Sequence, residues 1–288
     1  MNLLAGVWRL ADPLDEPALR ALLLPREVHA TALSEKLRTP GPFLNDGDRI
    51  LVHPGGIHQI DAVLFLSASG CAMPLVDASL SPPRVKGILE SLRKTQLVQA
   101  FRPVSCVGLE ATTQRLQQAL GWRPALSVRH DAMSLDAKDF SPRISPTQTC
   151  HNAGPEDLEA LLPVARAYEM EEVATPMHPF DEVVCRANQA RALARYRVRV
   201  LETEGKIVAR AQTNAVGYGR EQLGGIIVLP QLRGRGYGRI VVSDLAASIL
   251  ADGKGLSLFV KKDNKPARRL YESLGFVFSG DFRVDYFK

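Results

Sequence analysis

An α/β fold of the α+β kind is predicted for this chain, and three patterns predict it. Tyr196, Val198 and Val200 alternate with Arg197 and Arg199, and Lys206 to Thr213 repeats that alternation with Ile207, Ala209 and Ala211. Period-two patterning on both sides of Glu204-Gly205 is that of a hairpin of half-buried strands. Ile226 to Pro230 is a short apolar run closed by proline, and beyond it Tyr237, Val241, Leu245 and Ile249 recur at four-residue spacing beside Val242, Ala246 and Leu250. That is a buried strand turning through glycines into a helix. Strand-like and helix-like segments also mix along the whole chain, as a sheet flanked by helices requires.

In chain order, Ile50-Leu51-Val52 and Ala62 to Ala68 are predicted strands. Pro83 to Lys94 is a helix with Val85, Ile88, Leu89 and Leu92 on one face; a strand over Val104 to Val107 and a helix over Ala111 to Leu120 follow. Ser134 to Asp157 holds Asp136, Lys138, Asp139, Pro142, Pro146, Asn152, Gly154 and Pro155 with little periodicity, which predicts a linker and the entry to a helix. Pro155 to Val173 carries Leu158, Leu161, Leu162, Val164 and Ala165 at helical spacing, and Phe180 to Ala194 is a second helix. After the hairpin come strands over Gln222 to Leu229 and Leu256 to Val260, a helix over Pro266 to Leu274 and a last strand from Phe276 to Tyr286. At 288 residues the chain reaches the size at which one core stops growing, so two domains are expected, residues 1–140 and 145–288.

Composition narrows the function classes. With 45% hydrophobic and 23% charged residues the chain is of ordinary globular type. Its four cysteines, Cys71, Cys106, Cys150 and Cys185, lie far apart with no CxxC pair, which predicts reduced thiols in a cytoplasmic protein and no metal site. The start, Met1 to Arg9, lacks a basic n-region, and no run approaches 18 apolar residues, so neither a secretory signal nor a membrane span is expected. The net charge of +5 is modest, with basic and acidic residues interspersed, which suits a polyanionic small molecule better than nucleic acid.

The segment Arg233-Gly234-Arg235-Gly236-Tyr237-Gly238-Arg239 carries the functional signal. A strand that turns through glycines into a helix points free N–H groups and the positive end of the helix dipole at one place, which is an anion site. Glycines let the main chain approach phosphate oxygens, and the three arginines add donors and charge. GxGxxG would need glycine where Arg239 stands, and a P-loop would need a Gly-Lys-Ser/Thr ending.

The segment resembles the Arg/Gln-x-x-Gly-x-Gly/Ala signature of the GNAT (Gcn5-related) N-acetyltransferases, with Arg233, Gly236 and Gly238 at its defining positions. Asn264-x-x-Ala267-x-x-Leu270-Tyr271-x-x-x-Gly275-Phe276 is similar to the family's later motif. The resemblance covers residues 150 to 288, and the order of predicted elements there is the family's order. It implies a GNAT-like mixed, mostly antiparallel central sheet flanked by helices. The first half repeats part of the order, which leaves two readings open: a tandem, degenerate copy of the same fold, or an unrelated α/β domain. Where such a copy would hold its pyrophosphate loop stand Pro82 and Pro83, with no glycine, so that half is not expected to bind the carrier in the same way.

The resemblance implies an N-acyltransferase that uses acetyl-CoA as co-substrate, with Arg233 to Arg239 on the pyrophosphate and Asn264 meeting the carrier. Asn264 is also a natural N-cap, with Pro266 in the first turn. Ile226, Ile227 and Val228 lie on the strand beside the loop, where the backbone can pair with the amides of a pantetheine arm, and Gly224-Gly225 predicts a bulge that helps strands splay.

Transfer from a thioester to an amine needs an acid for the leaving thiolate. Tyr271, with an ordinary pKa about 10 against about 8.5 for a thiol, suits that role, which the resemblance also gives it; otherwise it is a packed helix tyrosine. The amine must be neutral to attack. A lysine-type amine is neutral in roughly one molecule in 2,500 at pH 7, a cost of about 4.6 kcal/mol, whereas an α-amine costs about 1 kcal/mol. Glu221 is the family-like general base, or else an exposed strand end. Glu171, Glu172 and His178, with Asp181 and Glu182, cluster between the first two helices of the second half. They are either a solvated face or the border of a site for a cationic amine, a small molecule or a peptide. No serine or cysteine sits in a nucleophile motif, so direct transfer in a ternary complex is expected, without metal. The alternative from another class is a non-catalytic acyl-CoA-binding sensor or scaffold. Polyamines, aminoglycoside-like amines, amino acids and protein N-termini all stay open as acceptors.

Overall fold

The structure, a computed structural model, describes residues 6–38, 45–56, 58–143 and 150–288. Met1 to Ala5 of the start and Pro146 of the expected linker lie outside the described residues. The chain forms two compact units, Met1–Ala132 with Ser279–Lys288, and Met133–Phe278. The last ten residues, expected in the second domain, thus belong with the first unit. No helix among the described residues is long and apolar enough to cross a membrane.

The first unit runs β1 (Arg9–Leu10), α1 (Glu16–Leu23), α2 (Glu27–Arg38), β2 (Arg49–Gly56), β3 (Gln59–Leu66), β4 (Cys71–Val76), α3 (Pro82–Ser91), α4 (Gln96–Ala100), β5 (Ser105–Leu109), α5 (Glu110–Leu120) and β6 (Leu126–Leu135). Strands β1 to β4 are successive antiparallel neighbours, and β4 meets β5 in parallel, Cys71 opposite Ser105. Trp8, Leu51, Leu64, Ile88, Leu89, Leu116 and Phe287 share its core.

The second unit repeats that plan with β7 (Cys150–Asn152), α6 (Leu158–Tyr168), α7 (Glu182–Arg195), β8 (Val198–Thr203), β9 (Lys206–Val216), β10 (Arg220–Val228), α8 (Tyr237–Ala251), β11 (Gly255–Lys261) and α9 (Lys265–Glu272), and the chain ends in β12 (Val277–Tyr286), whose residues from Ser279 on belong to the first unit. Here β7 to β10 are antiparallel neighbours and β10 meets β11 in parallel, Arg220 opposite Gly255. Two helices, three antiparallel strands, a helix, a parallel strand and a further helix therefore occur twice in the same order, the first unit adding the short α4 before its parallel strand. The first half is a second copy of the fold, which decides between the two readings left open by the sequence.

The final strand explains where the unit boundary falls. Phe282 to Tyr286 of β12 pair antiparallel with Leu109 to Ser105 of β5. Phe287 packs edge-on to Trp122, ring centroids 6.0 Å apart. The strand that closes the second copy in sequence therefore completes the sheet of the first.

In the second unit the sheet has two covered faces. Leu223, Val241, Leu245, Ile249, Leu258 and Tyr271 form the core under α8 and α9. Leu161, Val164, Leu193, Val200 and Ile227 form the core under α6 and α7. The alternation along β10 places Ile226 and Val228 against the first cluster and Ile227 in the second. Gly205 and Glu204 both have positive φ, +71° and +52°, the backbone a two-residue hairpin turn requires.

Candidate functional site

After β10 the chain makes one tight turn over Pro230–Leu232 and then enters the glycine-arginine segment. Gly234 and Gly236 have φ of +78° and +82°, and Gly236 is the N-cap of α8 in left-handed conformation. Side-chain-bearing residues adopt that conformation at a cost, which is why glycine stands there. Among the described residues, the amides of Gly234, Arg235, Gly236, Tyr237 and Gly238 donate to no protein acceptor, while Arg239 and Ile240 already donate to Gly236 O at 3.0 and 3.2 Å. Successive free amides at the start of a 15-residue helix are a nest for an anion. Gly238 makes the approach possible in another way. A Cβ there would lie 3.0 Å from Leu270 Cδ1 and 3.4 Å from Val228 Cγ2, so the loop, the end of β10 and α9 meet at this residue. Arg235 and Arg239 are exposed and make no ion pair among the described residues. Tyr237 is instead a core residue, 7% exposed, so only its amide faces the nest.

Beside the loop the sheet opens. Strand β10 pairs with β11 only from Arg220 to Gln222, against Gly255 to Ser257, although β10 continues to Val228 and β11 to Lys261. On its other edge the β9–β10 register shifts at Gln222/Leu223 and again between Gly224 and Ile227, with Gly225 at φ +58°. The bulge twists β10 away from β11 and leaves Ile226 to Val228 with an unpaired edge, which a strand-like ligand can join.

Tyr271 lies in α9 next to that opening, 7% exposed, with its ring edge-on to Phe276 at 5.7 Å. Burial, and then the charges of Tyr168 and Glu172, push its phenol well above the ordinary tyrosine value, so it holds its proton throughout the neutral range. Tyr168, at the end of α6, is likewise pushed up by burial, and it went unnoticed in the sequence because a tyrosine closing an amphipathic helix carries no motif. Asn264 caps α9, its Oδ1 accepting from Ala267 N at 3.2 Å, while its Nδ2 donates to Glu172 Oε1 at 3.2 Å.

Glu221 is not the exposed strand end that was the alternative to a base. It is 2% exposed and held by Arg197 at 3.3 Å and Lys254 at 3.6 Å. It sits at the start of β10, about 23 Å along the strand from Val228 at the usual rise per residue. Lys254 and its neighbour Asp252 follow the C-terminal end of α8, whereas the anion loop is at its N-terminal end, so Glu221 is held at the end of the strand away from the loop. Glu171 and Glu172, expected as either a solvated face or the border of a site for a cationic amine, are paired within the chain. They lie in a π-helical turn, Glu169–Val173, where Glu171 pairs with Arg233 at 2.6 Å and Glu172 with Lys261 at 3.1 Å. Both are therefore part of the loop's surroundings. His178 is tied into a small bridge with Thr175, their backbones exchanging bonds of 2.9 and 3.1 Å.

The corresponding place in the first unit is built differently. The turn after β4 holds Asp77, whose carboxylate accepts from Ser79 N at 2.9 Å and Ser79 Oγ at 2.8 Å and pairs with Arg26. A protein anion thus occupies a turn that leads into Pro82 and Pro83 at the start of α3. Arg115-Leu116-Gln117-Gln118-Ala119-Leu120-Gly121-Trp122 also matches Arg269-Leu270-Tyr271-Glu272-Ser273-Leu274-Gly275-Phe276, with left-handed glycines of φ +73° and +98°. The counterpart of Tyr271 is Gln117, which donates to the buried Asp285 at 2.5 Å. Aligning the two helices would have revealed the repeat from sequence.

Comparison with known proteins agrees with this geometry. Residues 202–282 match the family model described as FR47-like protein. No curated protein matches the chain by sequence. An X-ray structure of a Drosophila protein aligns over 98% of this chain and 99% of its own, with 13% identity and a TM-score of 0.71. A GCN5-related N-acetyltransferase from Sphaerobacter thermophilus aligns over 99% and 96%, with 16% identity and a TM-score of 0.62. A tandem GNAT protein from the clavulanic acid biosynthesis pathway aligns over 97% and 96%, with 15% identity and a TM-score of 0.52. At these identities the likeness is one of fold: the chain has the GNAT fold twice over, and the FR47-like match lies in the second copy.

Proposed function

We propose that the chain is an acetyl-CoA-dependent N-acyltransferase whose chemistry is confined to the second unit. The observation that carries this reading is the row of free amides from Gly234 to Gly238 beside the unpaired edge of β10, with Leu270 and Tyr271 on the adjoining helix. The nest fits a pyrophosphate in charge and in donor chemistry, and the open edge fits the two amides of a pantetheine arm.

When bound, acetyl-CoA supplies the activated acyl group. The loop amides and the side chains of Arg235 and Arg239 bind phosphate oxygens and neutralise their charge. Ile226 and Val228 offer backbone donors and acceptors that orient the arm along β10. Tyr271 keeps a proton at Oη across the neutral range and delivers it to the departing sulfur. Glu221, buried and paired with Arg197 and Lys254, is the family-like candidate to take the amine's proton, a demand that is small for an α-amine, at a cost of about 1 kcal/mol.

Release of free thiol from acetyl-CoA across a panel of amines tests the proposal. Amine-dependent release supports it. Tight coenzyme A binding with no release for any amine would mark the chain as a carrier-binding sensor or scaffold.

A further inference from the structure

Arg210 of β9 stands apart from the other buried cations of the chain. It is 2% exposed, its Nε donates 2.9 Å to Gly225 O, its Nη1 donates to Gln189 Oε1, and its guanidinium lies 5.3 Å from the centroid of the Tyr168 ring. Among the described residues it has no carboxylate partner within ion-pair reach; Glu169 is near enough only for its charge to be felt. Arg283, buried in the first unit, is by contrast matched by Asp285 at 2.6 Å. A buried guanidinium with only neutral partners is costly to fold around, and burial indeed lowers its pKa to about 10.

The polar atoms around Arg210 are also incomplete. Gln189 of α7 is 3% exposed and its Nε2 is buried without a partner, as is Gln212 Oε1. Arg210, Gln212 and Asn214 alternate along β9 on the face opposite Ala209 and Ala211, which belong to the core under α8. This polar ridge needs the glycines of the bulge. A Cβ at Gly224 would lie 2.4 Å from Asn214 Nδ2, and one at Gly225 would lie 2.7 Å from Gln212 and 3.0 Å from Arg210 Nη2. The bulge that opens β10 toward the carrier thus also makes room for a cation on the other side of the strand. Tyr168, which stacks on Arg210, lies close enough to Tyr271 for the ionisations of the two phenols to be coupled.

We propose that Arg210, with Gln189 beside it, receives a carboxylate of the acceptor, so that the acceptor is an amine bearing a carboxylate, of the free amino acid class. This rests on the acyltransferase reading for its chemistry but not for its binding step. It replaces the cationic acceptor expected from Glu171 and Glu172, whose charges are already met by Arg233, Lys261 and Asn264. An α-amino acid also brings a readily deprotonated amine, at a cost of about 1 kcal/mol against about 4.6 kcal/mol for a lysine-type amine.

The test is a calorimetric titration of the full chain, saturated with coenzyme A, with free amino acids and with their carboxamides, alongside thiol release from acetyl-CoA on the same compounds. Carboxylates should bind at least about tenfold more tightly than the matched carboxamides, since the charge-assisted bonds are lost in the amide. Equal or weaker binding of carboxylates overturns the proposal. Absence of thiol release with the binding preference intact would sink the acyltransferase reading and leave this one standing. Arg210→Gln should abolish the preference while coenzyme A affinity stays. Gln189→Glu, which supplies an internal carboxylate and should fold without difficulty, should abolish it too; retention of the preference in Gln189→Glu would remove Arg210 from recognition.

Discussion

Arg233 Nη2 donates to both carboxylate oxygens of Glu171, at 2.8 and 2.6 Å, joining the anion loop to the π-helical turn after α6. Both partners are substantially exposed, 47% and 37%, so the pair contributes little to stability, and its meaning lies in competition. A phosphate arriving at the loop contends with Glu171 for the same guanidinium. Glu171→Gln should tighten coenzyme A binding by roughly threefold to tenfold, with a steeper salt dependence, whereas Arg233→Ala should weaken it by about tenfold or more. Calorimetry at two ionic strengths checks both; weaker binding in Glu171→Gln would show that Glu171 orders the loop instead of competing for it.

Replacing Tyr271 with Phe removes the proposed acid and leaves the packing against Phe276 in place. Turnover should fall by about a hundredfold or more while coenzyme A affinity stays nearly constant. The pH dependence follows from the raised phenol. The rate should rise with pH as the amine deprotonates and should not decline before about pH 10, where an ordinary tyrosine ionises. The folded state prefers the protonated phenol, so the associated stability is fully present below about pH 10 and is lost as pH rises beyond it. Tyr271→Phe should flatten that alkaline loss in denaturant titrations; an unchanged slope would mean that the buried phenol is not what titrates.

Gly236 and Gly275 both have positive φ, but their surroundings predict different outcomes. At Gly236, φ +82°, an added Cβ meets nothing within 4 Å, so Gly236→Ala should cost only the backbone strain, about 1–2 kcal/mol, and should show mainly as weaker carrier binding. At Gly275, φ +98°, the Cβ would lie 1.9 Å from Asp139 O. Gly275→Ala therefore adds a main-chain collision to the strain and should lower the melting temperature far more than Gly236→Ala does. Similar losses in the two variants would contradict the geometry.

The ownership of the last strand can be tested through cysteines. Cys106 is fully buried in the core that contains Phe287, while Cys185 is buried in the second unit. Phe287→Ala should destabilise the first unit by about 3–5 kcal/mol and speed the reaction of Cys106 with a thiol reagent, with coenzyme A affinity unchanged. Faster reaction at Cys185 alone would place the C-terminus with the second unit.

Much of this was legible in the sequence, for identifiable reasons. Strand β10, the loop and α8 were readable because proline, paired glycines and a sustained apolar period mark them. Helix α2 was not, because it kinks at Ala30 and buries Glu27, Thr31, Ser34 and Glu35 alongside Ala30, Leu33 and Leu37, so polar residues blur its apolar stripe. Strand β4 was missed because Pro74 interrupts a six-residue run. Burial of Glu221 depends on Arg197 and Lys254, and the pairing of Glu171 and Glu172 depends on Arg233 and Lys261. Charges that meet across the fold leave no local pattern, so a sequence shows the carboxylates but not their partners. The exchange of β12 was hidden for the same reason, since a strand's pattern fixes its buried face and not its neighbour.

Initial velocities measured while acetyl-CoA and an accepted amine are both varied, with the acylated amine quantified by mass spectrometry, test direct transfer in the second unit most directly. Intersecting reciprocal plots and one acylated amine per thiol released are the predicted result. Parallel plots, or thiol release without acylated amine, would contradict it.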